Sequence, residues 1–274
     1  MTDILSYGFM QNALMAGILV SIVSGIVGSL ILVNRMVFLA GGIAHTSYGG
    51  IGAAIYFGFP IFLGAALFSV GAALLIALIT LRSKHRLDTA IGVIWAIGMA
   101  TGVILVDLTP GYNVDLMGYL FGSILAVSSG DLVSMGVLLA VVLFAVHFFY
   151  REILAVSYDS EYARLRGMAA DKIYTAILIL SALTIVVAIK VVGLILVIAL
   201  MTIPTYIAEK LSGTLYGMMM LSAALSSVFT LIGLGVSYTF DLSSGASIIL
   251  SAAGGLILFW AIGFLKRVLF GLRR

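Results

Sequence analysis

The side chain best suited to holding a metal ion in this chain is the imidazole of His45. It lies within the uncharged run Met36–Leu81, and the chain has no cysteine to supply thiolate ligands. Neutral imidazole suits zinc, iron or nickel better than magnesium or calcium. An ionisable residue inside an apolar run is a functional candidate because its burial is costly. We therefore predict that His45 lines a metal path; the alternative is a histidine bonded to a backbone carbonyl or placed at a helix end.

The other groups that could do chemistry are few. His147 lies beside aromatic residues and His85 in a short charged segment, so we expect an interfacial and a solvated histidine. Asp107 and Asp115 bracket a Pro-Gly turn; they could form a cation entrance on the outer side, with ordinary turn chemistry as the alternative. No Ser/His/Asp arrangement, carboxylate pair or Gly-x-x-x-x-Gly-Lys-[Ser/Thr] phosphate loop stands out. We predict that the chain is not an enzyme.

The densest cluster of charge predicts a loop that faces water. The segment Arg151–Lys172 holds eight of the 25 charged residues. Ser157 or Asp159 can cap a helix over Ser160–Arg166, and Gly167 can end it. A helix of about two turns is not stable alone in water, so we expect a partner to dock on it. The alternative is a solvated connector with ordinary caps.

Composition indicates an all-α, polytopic integral membrane protein. The chain is 63% hydrophobic and 9% charged, with a mean hydropathy of +1.26, whereas soluble domains carry about 25% charged residues. A span needs roughly 20 apolar residues, so the uncharged runs supply about eight or nine spans in a single domain, residues 1–274. The runs are Ile4–Asn34, Met36–Leu81 (two spans around Pro60), Thr89–Val106, Leu132–Tyr150, Ile173–Ile189, Val191–Ala208, Leu211–Phe240 and Leu242–Leu265.

Lysine and arginine positions predict the orientation of the spans. Positive charge gathers at Arg35, after Leu81, in Arg151–Lys172, at Lys210 and at the C-terminus, which is typical of cytoplasmic loops. Nine spans then place the N-terminus outside and the C-terminus inside. Lys190 is the exception among outer positions. The small net charge of +3 and its scatter over loops give no basic patch for nucleic acid.

Two segments do not fit a simple series of crossings. Leu116–Val127 is apolar but short, and a full crossing would put the charged loop outside, so we predict a re-entrant or interfacial helix. Pro204 lies inside an apolar run, where it should kink or break the helix.

Six sequence blocks, in order along nearly the whole chain, carry a family resemblance. They include the pattern Asp-Leu-Met-x-x-Leu-Phe-Gly, which with the order of the blocks makes the match specific. The chain resembles the permease subunits of ATP-binding-cassette importers for divalent metals, the zinc, manganese and iron group. The blocks are Arg35–Ser47, Asp88–Gly92, Val114–Leu125, Tyr158–Gly167, Val192–Pro204 and Ser237–Gly245.

The resemblance implies partners and a substrate. Two permease copies would form a path across the inner membrane, with two ATP-binding subunits on the cytoplasmic side and an extracytoplasmic metal-binding protein that delivers the ion. The divalent metal would be the substrate, and no permanently bound cofactor is implied. The segment Asp159–Gly167 is similar to the family's coupling helix, which docks on the ATPase. The residues expected to couple are Tyr158, Asp159, Glu161, Tyr162, Arg164 and Gly167.

One position departs from the family pattern. Members usually carry an Asp four residues before the His, on the same helix face, and here that position is Gly41. The hydroxyls of Thr46, Ser47 and Tyr48 are the candidates to replace the carboxylate beside His45. We expect a divalent transition metal as cargo, zinc first and then manganese or iron. The alternatives are an importer permease for a metal chelate or vitamin, a secondary metal transporter acting alone, and a structural membrane scaffold.

Overall fold

The fold is helical throughout the described residues, 8–82, 87–110 and 124–270 of the computed structural model. Eleven α-helices and one 3-10 turn, Ile124–Ala126, occur there, with no strand in those ranges, which confirms the all-α prediction. The helices are α1 (Gly8–Val33), α2 (Val37–Phe57), α3 (Ile61–Arg82), α4 (Leu87–Asp107), α5 (Ser129–Phe148), α6 (Tyr150–Tyr158), α7 (Ser160–Leu165), α8 (Ala170–Val192), α9 (Leu194–Leu211), α10 (Leu215–Phe240) and α11 (Ser244–Phe270).

Eight of the helices within these ranges are long and apolar enough to cross a membrane, which confirms a multi-pass membrane protein with the predicted number of spans. Helix α2 has 21 residues but is not among the eight. Its apolar character is interrupted by the polar run from His45 to Tyr48. Most residues of α2 are buried against other helices. Protein rather than lipid therefore surrounds its polar middle, as intramembrane polar groups require.

Helices α1 and α8 form the centre of the bundle. In each of them 72% of the spanning window is buried, against 22% in α4 and α5 and 11% in α11. Helix α1 packs on α5, α8, α9 and α10, and α8 packs on α1, α2, α3 and α5. The peripheral helices expose apolar faces that suit lipid or another membrane-embedded chain.

Glycines hold α2 against its two neighbours, backbone to backbone. A Cβ atom on Gly102 of α4 would lie 2.5 Å from the carbonyl oxygen of Tyr48, and one on Gly50 would collide with the carbonyl of Gly64 in α3. Because lipid tails are as apolar as leucine, close approach of this kind is what joins helices inside a membrane. We call the following residues the glycine seam: Gly49, Gly50 and Gly52 of α2, Gly64 of α3, and Gly98 and Gly102 of α4.

Helix α9 runs unbroken through Pro204, so the break proposed from the sequence is wrong. Proline has no N–H and leaves the carbonyl four residues earlier without its helical donor. The hydroxyl of Ser226 in α10 donates to that carbonyl, on Leu200, at 3.4 Å. A neighbouring helix thus supplies the missing donor, which is how membrane helices tolerate proline.

The helix ends predicted to be cytoplasmic lie together. They border a cleft of about 780 Å³ between the C-terminal ends of α1, α3 and α9 and the N-terminal ends of α4, α8 and α10, with α6 and α7 beside it. Lys190, the exception to the charge pattern, lies at the other end of α8. It forms an ion pair with Asp131 of α5 at 2.7 Å. The ion pair with Asp131 compensates the positive charge of Lys190, which the pattern of lysine and arginine positions does not predict on the outer side.

Most of the predicted re-entrant segment Leu116–Val127 lies outside the described residues. Its described end forms the 3-10 turn Ile124–Ala126, in which Ile124 is buried. The side-chain amide of Asn12 in α1 donates to the carbonyl of Val127 at 3.3 Å. This end of the segment is therefore anchored on the first turns of α1.

Two alanine substitutions on α4 test the glycine seam. Gly102→Ala places a methyl group against the backbone of Tyr48, and we expect it to cost about 1–3 kcal/mol, the usual penalty for overpacking. Gly92→Ala meets no atom within 4 Å and should be neutral or stabilising by up to about 1 kcal/mol through helix propensity. Thermal unfolding of the full chain in detergent measures both. Equal melting temperatures for the two variants would rule out the backbone contact.

Candidate metal path and coupling helix

The imidazole of His45 lies half-buried in the middle of α2, stacked on the indole of Trp95 in α4. The ring centroids are 4.4 Å apart and the ring planes differ by 7°. Stacking fixes the plane of the imidazole and leaves its nitrogen edge uncovered. No protein hydrogen bond to either ring nitrogen is found within the described ranges, so the alternative of a histidine bonded to a backbone carbonyl does not hold there.

His45 belongs to a strip of α2 that the chain leaves partly open. Phe38 and Gly41 precede it on the same helix face and are also incompletely covered. The strip continues onto α9, because a Cβ atom on Gly41 would have the Cδ1 atom of Ile198 as its nearest neighbour, at 3.8 Å. We call Phe38, Gly41 and His45 of α2, with Ile195, Ile198 and Thr202 of α9, the α2–α9 face.

Of the three hydroxyls expected to assist His45, two are hydrogen-bonded to their own helix and the third is buried. Thr46 donates to a carbonyl of its own helix at 2.7 Å, and Ser47 does so at 2.6 Å. Tyr48 is buried in a cluster with Val186 of α8, on the side of α2 that faces the core. The structure thus gives no support to these three groups as replacements for the missing carboxylate.

A complete metal site is absent from the part of the chain that the structure describes, where no three His, Cys, Asp or Glu side chains gather. Structural metal sites use about four ligands, so His45 alone cannot form such a site. The remaining ligands would have to be water or groups from a second molecule. A transport site must release its ion, and an incomplete set suits that requirement.

The short helix predicted in the charged segment is present as α7. The carboxylate of Asp159 accepts hydrogen bonds from the backbone N–H groups of Glu161 at 3.1 Å and Tyr162 at 2.9 Å, which makes it the N-cap. Gly167 has φ +77° and lies just past the C-cap. Its N–H and that of Met168 bond back to carbonyls of the helix in a Schellman motif. The two caps allow six residues to remain helical.

The side of α7 that faces away from the bundle exposes apolar and aromatic surface, together with the end of α6. Leu165 is 89% exposed, Tyr158 64% and Tyr162 47%, while Ala163 on the inner side is buried. Sequence reasoning missed Leu165, although a leucine in a charged loop, two residues before a capping glycine, was a visible signal. An exposed leucine beside two exposed tyrosines is a candidate docking surface.

Charged side chains in and next to α7 form interactions that stabilise this helix. Arg164 forms an ion pair with Asp171 at the start of α8. The guanidinium of Arg166 donates to the hydroxyl of Tyr162 at 2.9 Å and lies over its ring, 5.2 Å from the centroid. Arg164 therefore has a structural role in addition to any contact with a partner.

Helix α6 connects this region to the centre of the bundle. The side-chain amide of Asn34, just beyond α1, donates to the hydroxyl of Ser157 at 2.9 Å and to the carbonyl of Leu30 at 2.8 Å. Ser157 therefore bonds to the end of α1 and does not cap α7. A displacement of α7 would reach α1 through this bond.

Of the remaining sequence-predicted residues that the structure describes, Asp107 and His147 lie on α4 and α5 and not on the α2–α9 face. Asp107 is exposed at the end of α4, and Asp115 lies outside the described residues, as does His85. His147 is exposed near the end of α5 and packs edge-on against Phe148, with ring centroids 5.4 Å apart. That position agrees with an interfacial aromatic cluster.

The arrangement matches a known family. The model of the ABC 3 transport family covers residues 6–263. The chain belongs to this family. Because the match spans nearly the whole sequence, the resemblance to an ATP-binding-cassette permease is confirmed.

Relatives and solved structures agree with this assignment. An uncharacterised membrane protein of Synechocystis is 46% identical, covering 92% of this chain and 90% of its own. A manganese transport system membrane protein of Listeria innocua is 35% identical, with 91% and 89% covered. The structure "PsaBC from Streptococcus pneumoniae in complex with Fab" matches with a TM-score of 0.83 at 32% identity, covering 94% of each chain.

Two aspartate substitutions test the space at the α2–α9 face. A Cβ atom on Gly41 makes only an ordinary contact, whereas one on the buried Gly42 collides with Ile91 of α4. We expect Gly41→Asp to melt close to the native chain and Gly42→Asp to lose roughly 2 kcal/mol or more through overpacking and burial of a polar group. Thermal unfolding in detergent compares them. A Gly41→Asp protein as unstable as Gly42→Asp would mean that this face is closed.

Proposed function

We propose that this chain is the permease subunit of an ATP-binding-cassette importer that moves a divalent transition metal ion into the cytoplasm. The observation that carries the proposal is His45, an imidazole with no hydrogen-bond partner among the described residues, on a half-open strip of a helix otherwise enclosed by protein. Intramembrane ionisable groups in such positions mark substrate pathways. Membership of the ABC 3 transport family supports the same function.

Manganese is the metal that we place first. The Listeria and Halalkalibacterium relatives are named for manganese transport, and other relatives for metal transport in general. This order differs from the expectation from sequence, which placed zinc first because imidazole suits zinc. With one imidazole per chain and the remaining ligands drawn from water, the site accepts a harder ion such as manganese.

A second copy of the chain completes the path. The α2–α9 face is open in one chain, and His45 by itself supplies too few ligands for a metal site. If two α2–α9 faces meet about a twofold axis, each copy supplies the same residues to the interface. Two His45 side chains then flank one central path, with α2 of each copy stiffened by its glycine seam.

ATP hydrolysis on separate cytoplasmic subunits drives the cycle. Leu165 and Tyr162 of α7, with Tyr158 at the end of α6, contact the ATPase. The ties of α6 to α1 and of α7 to α8 carry the motion into the bundle. An extracytoplasmic binding protein delivers the ion to the opposite side. The energy acts on the metal only through a difference in its affinity between the outward-open and inward-open states.

The other transport classes have less support. A metal-chelate type transporter shares the fold at a TM-score of 0.70, but at 17% identity the likeness extends to the fold alone. A secondary transporter would use unpaired carboxylates in its spans for proton coupling. Asp131, which lies in the first turn of α5, is paired with Lys190, and Asp107 lies at a helix end.

Histidine-to-alanine variants test the path. We expect His45→Ala to raise the metal concentration for half-maximal stimulation of ATPase activity at least about tenfold, since removing even an outer partner of a metal site has that effect. His147→Ala, an exposed histidine outside the path, should behave as the native chain. The assay is metal-stimulated ATPase activity of the reconstituted complex across manganese, zinc, iron, cobalt and nickel. Unchanged stimulation in His45→Ala would remove this residue from the path.

Leucine-to-serine variants test docking on α7. Covering a leucine contributes about 1.5–3 kcal/mol, so Leu165→Ser should weaken binding of the ATPase roughly tenfold or more. Leu242→Ser, at the opposite end of the bundle and 56% exposed, should leave it unchanged. Co-purification of the ATPase with each full-length variant is the readout. Equal recovery of the ATPase with both variants would show that α7 is a solvated connector and does not bind the ATPase.

A further inference from the structure

An apolar groove lies beside the two ends of the loop that carries α7. Its volume is about 320 Å³. One wall is formed by Ala145, Phe149 and Ile153, where α5 ends and α6 begins, and the other by a stripe of α8 from Ile173 to Leu183. The lining has no polar side chain, so water cannot be held there by hydrogen bonds. An occupant of this groove must be apolar.

The depth of the groove corresponds to one leaflet of a bilayer. From Ile173 to Leu183 a helix rises about 15 Å, and the hydrocarbon core of a bilayer is about 30 Å thick. Helix α8 begins at the end of the bundle that carries the basic loops, which places the groove in the cytoplasmic leaflet. The groove therefore has the length and position of a single lipid acyl chain.

A lysine stands at the cytoplasmic mouth of the groove. Lys172 is exposed and lies four residues before Ala176, which lines the groove, so the two share a helix face. The ammonium group of Lys172 enters no ion pair with any described residue. Arg151 on α6 is also exposed and lies two residues before Ile153, which lines the groove. A cation above an apolar slot complements a negatively charged head group.

We propose that the groove binds one acyl chain of an anionic phospholipid of the cytoplasmic leaflet, with its phosphate against Lys172. The acyl chain packs on Ile153 of α6, which precedes α7, and on Ile173 of α8, which follows it. The lipid therefore stabilises the two ends of the loop that contains α7. The groove is lined by α5, α6 and α8, so it is separate from the α2–α9 face proposed to pair two copies.

The test uses the full-length permease alone, purified in detergent and incubated with phosphatidylglycerol or phosphatidylcholine of identical chains. Lipid retention is counted by native mass spectrometry, and melting temperatures are measured alongside. A lysine near an anionic head group contributes about 1 kcal/mol, so we expect about fivefold more phosphatidylglycerol than phosphatidylcholine to be retained. Lys172→Gln should abolish that preference and leave the melting temperature of the lipid-free protein unchanged.

Blocking the slot separates groove binding from general lipid adhesion. Ala176→Phe fills the groove and should lower retention of both lipids to background, whereas Ala100→Phe on the exposed side of α4 should leave retention unchanged. Ala176→Leu serves the same purpose if the larger side chain impairs folding. Equal retention of the two lipids by the native chain, or native retention by both Ala176 variants, would overturn the proposal. Loss of a dimer in Ala176→Phe without loss of lipid would overturn it too, since a second copy would then be the occupant.

Discussion

The backbone contact of α2 with α3 and α4 is the interaction on which the candidate path depends. A helix with His45, Thr46, Ser47 and Tyr48 at its centre is a poor match for lipid. It is stable in the membrane because the glycine seam lets two neighbours approach until carbonyl oxygens occupy the space where side chains would be. The enclosure leaves one strip of α2 open, and His45 lies on that strip.

The same enclosure accounts for the lack of further ligands beside His45 among the described residues. Hydroxyls on the covered side of α2 are bonded to its own backbone or buried in the core, so they cannot turn toward an ion. His45 is held in plane by Trp95, and Gly41 leaves space beside it.

Helix α7 illustrates how local and long-range interactions divide the work. Its two caps involve residues within the loop itself, Asp159 and Gly167, and were readable from the sequence. Its orientation depends on bonds to distant elements, such as that from Asn34 to Ser157. In the folded chain Ala163 faces inward and Leu165 outward, and no rule based on neighbouring residues predicts that choice for a helix of six residues.

The class of protein, a count of about eight or nine spans and the position of the short capped helix were readable from the sequence alone, because hydropathy, charge and capping act over short stretches of chain. Tertiary structure decided the rest. Ser226 keeps α9 continuous at Pro204, and Asp131 accommodates Lys190, which the pattern of charges marked as misplaced. The Ser226–Leu200 pair is separated by 26 residues and the Lys190–Asp131 pair by 59. Only the packing of helices brings such groups together, and no local pattern records which helices will meet.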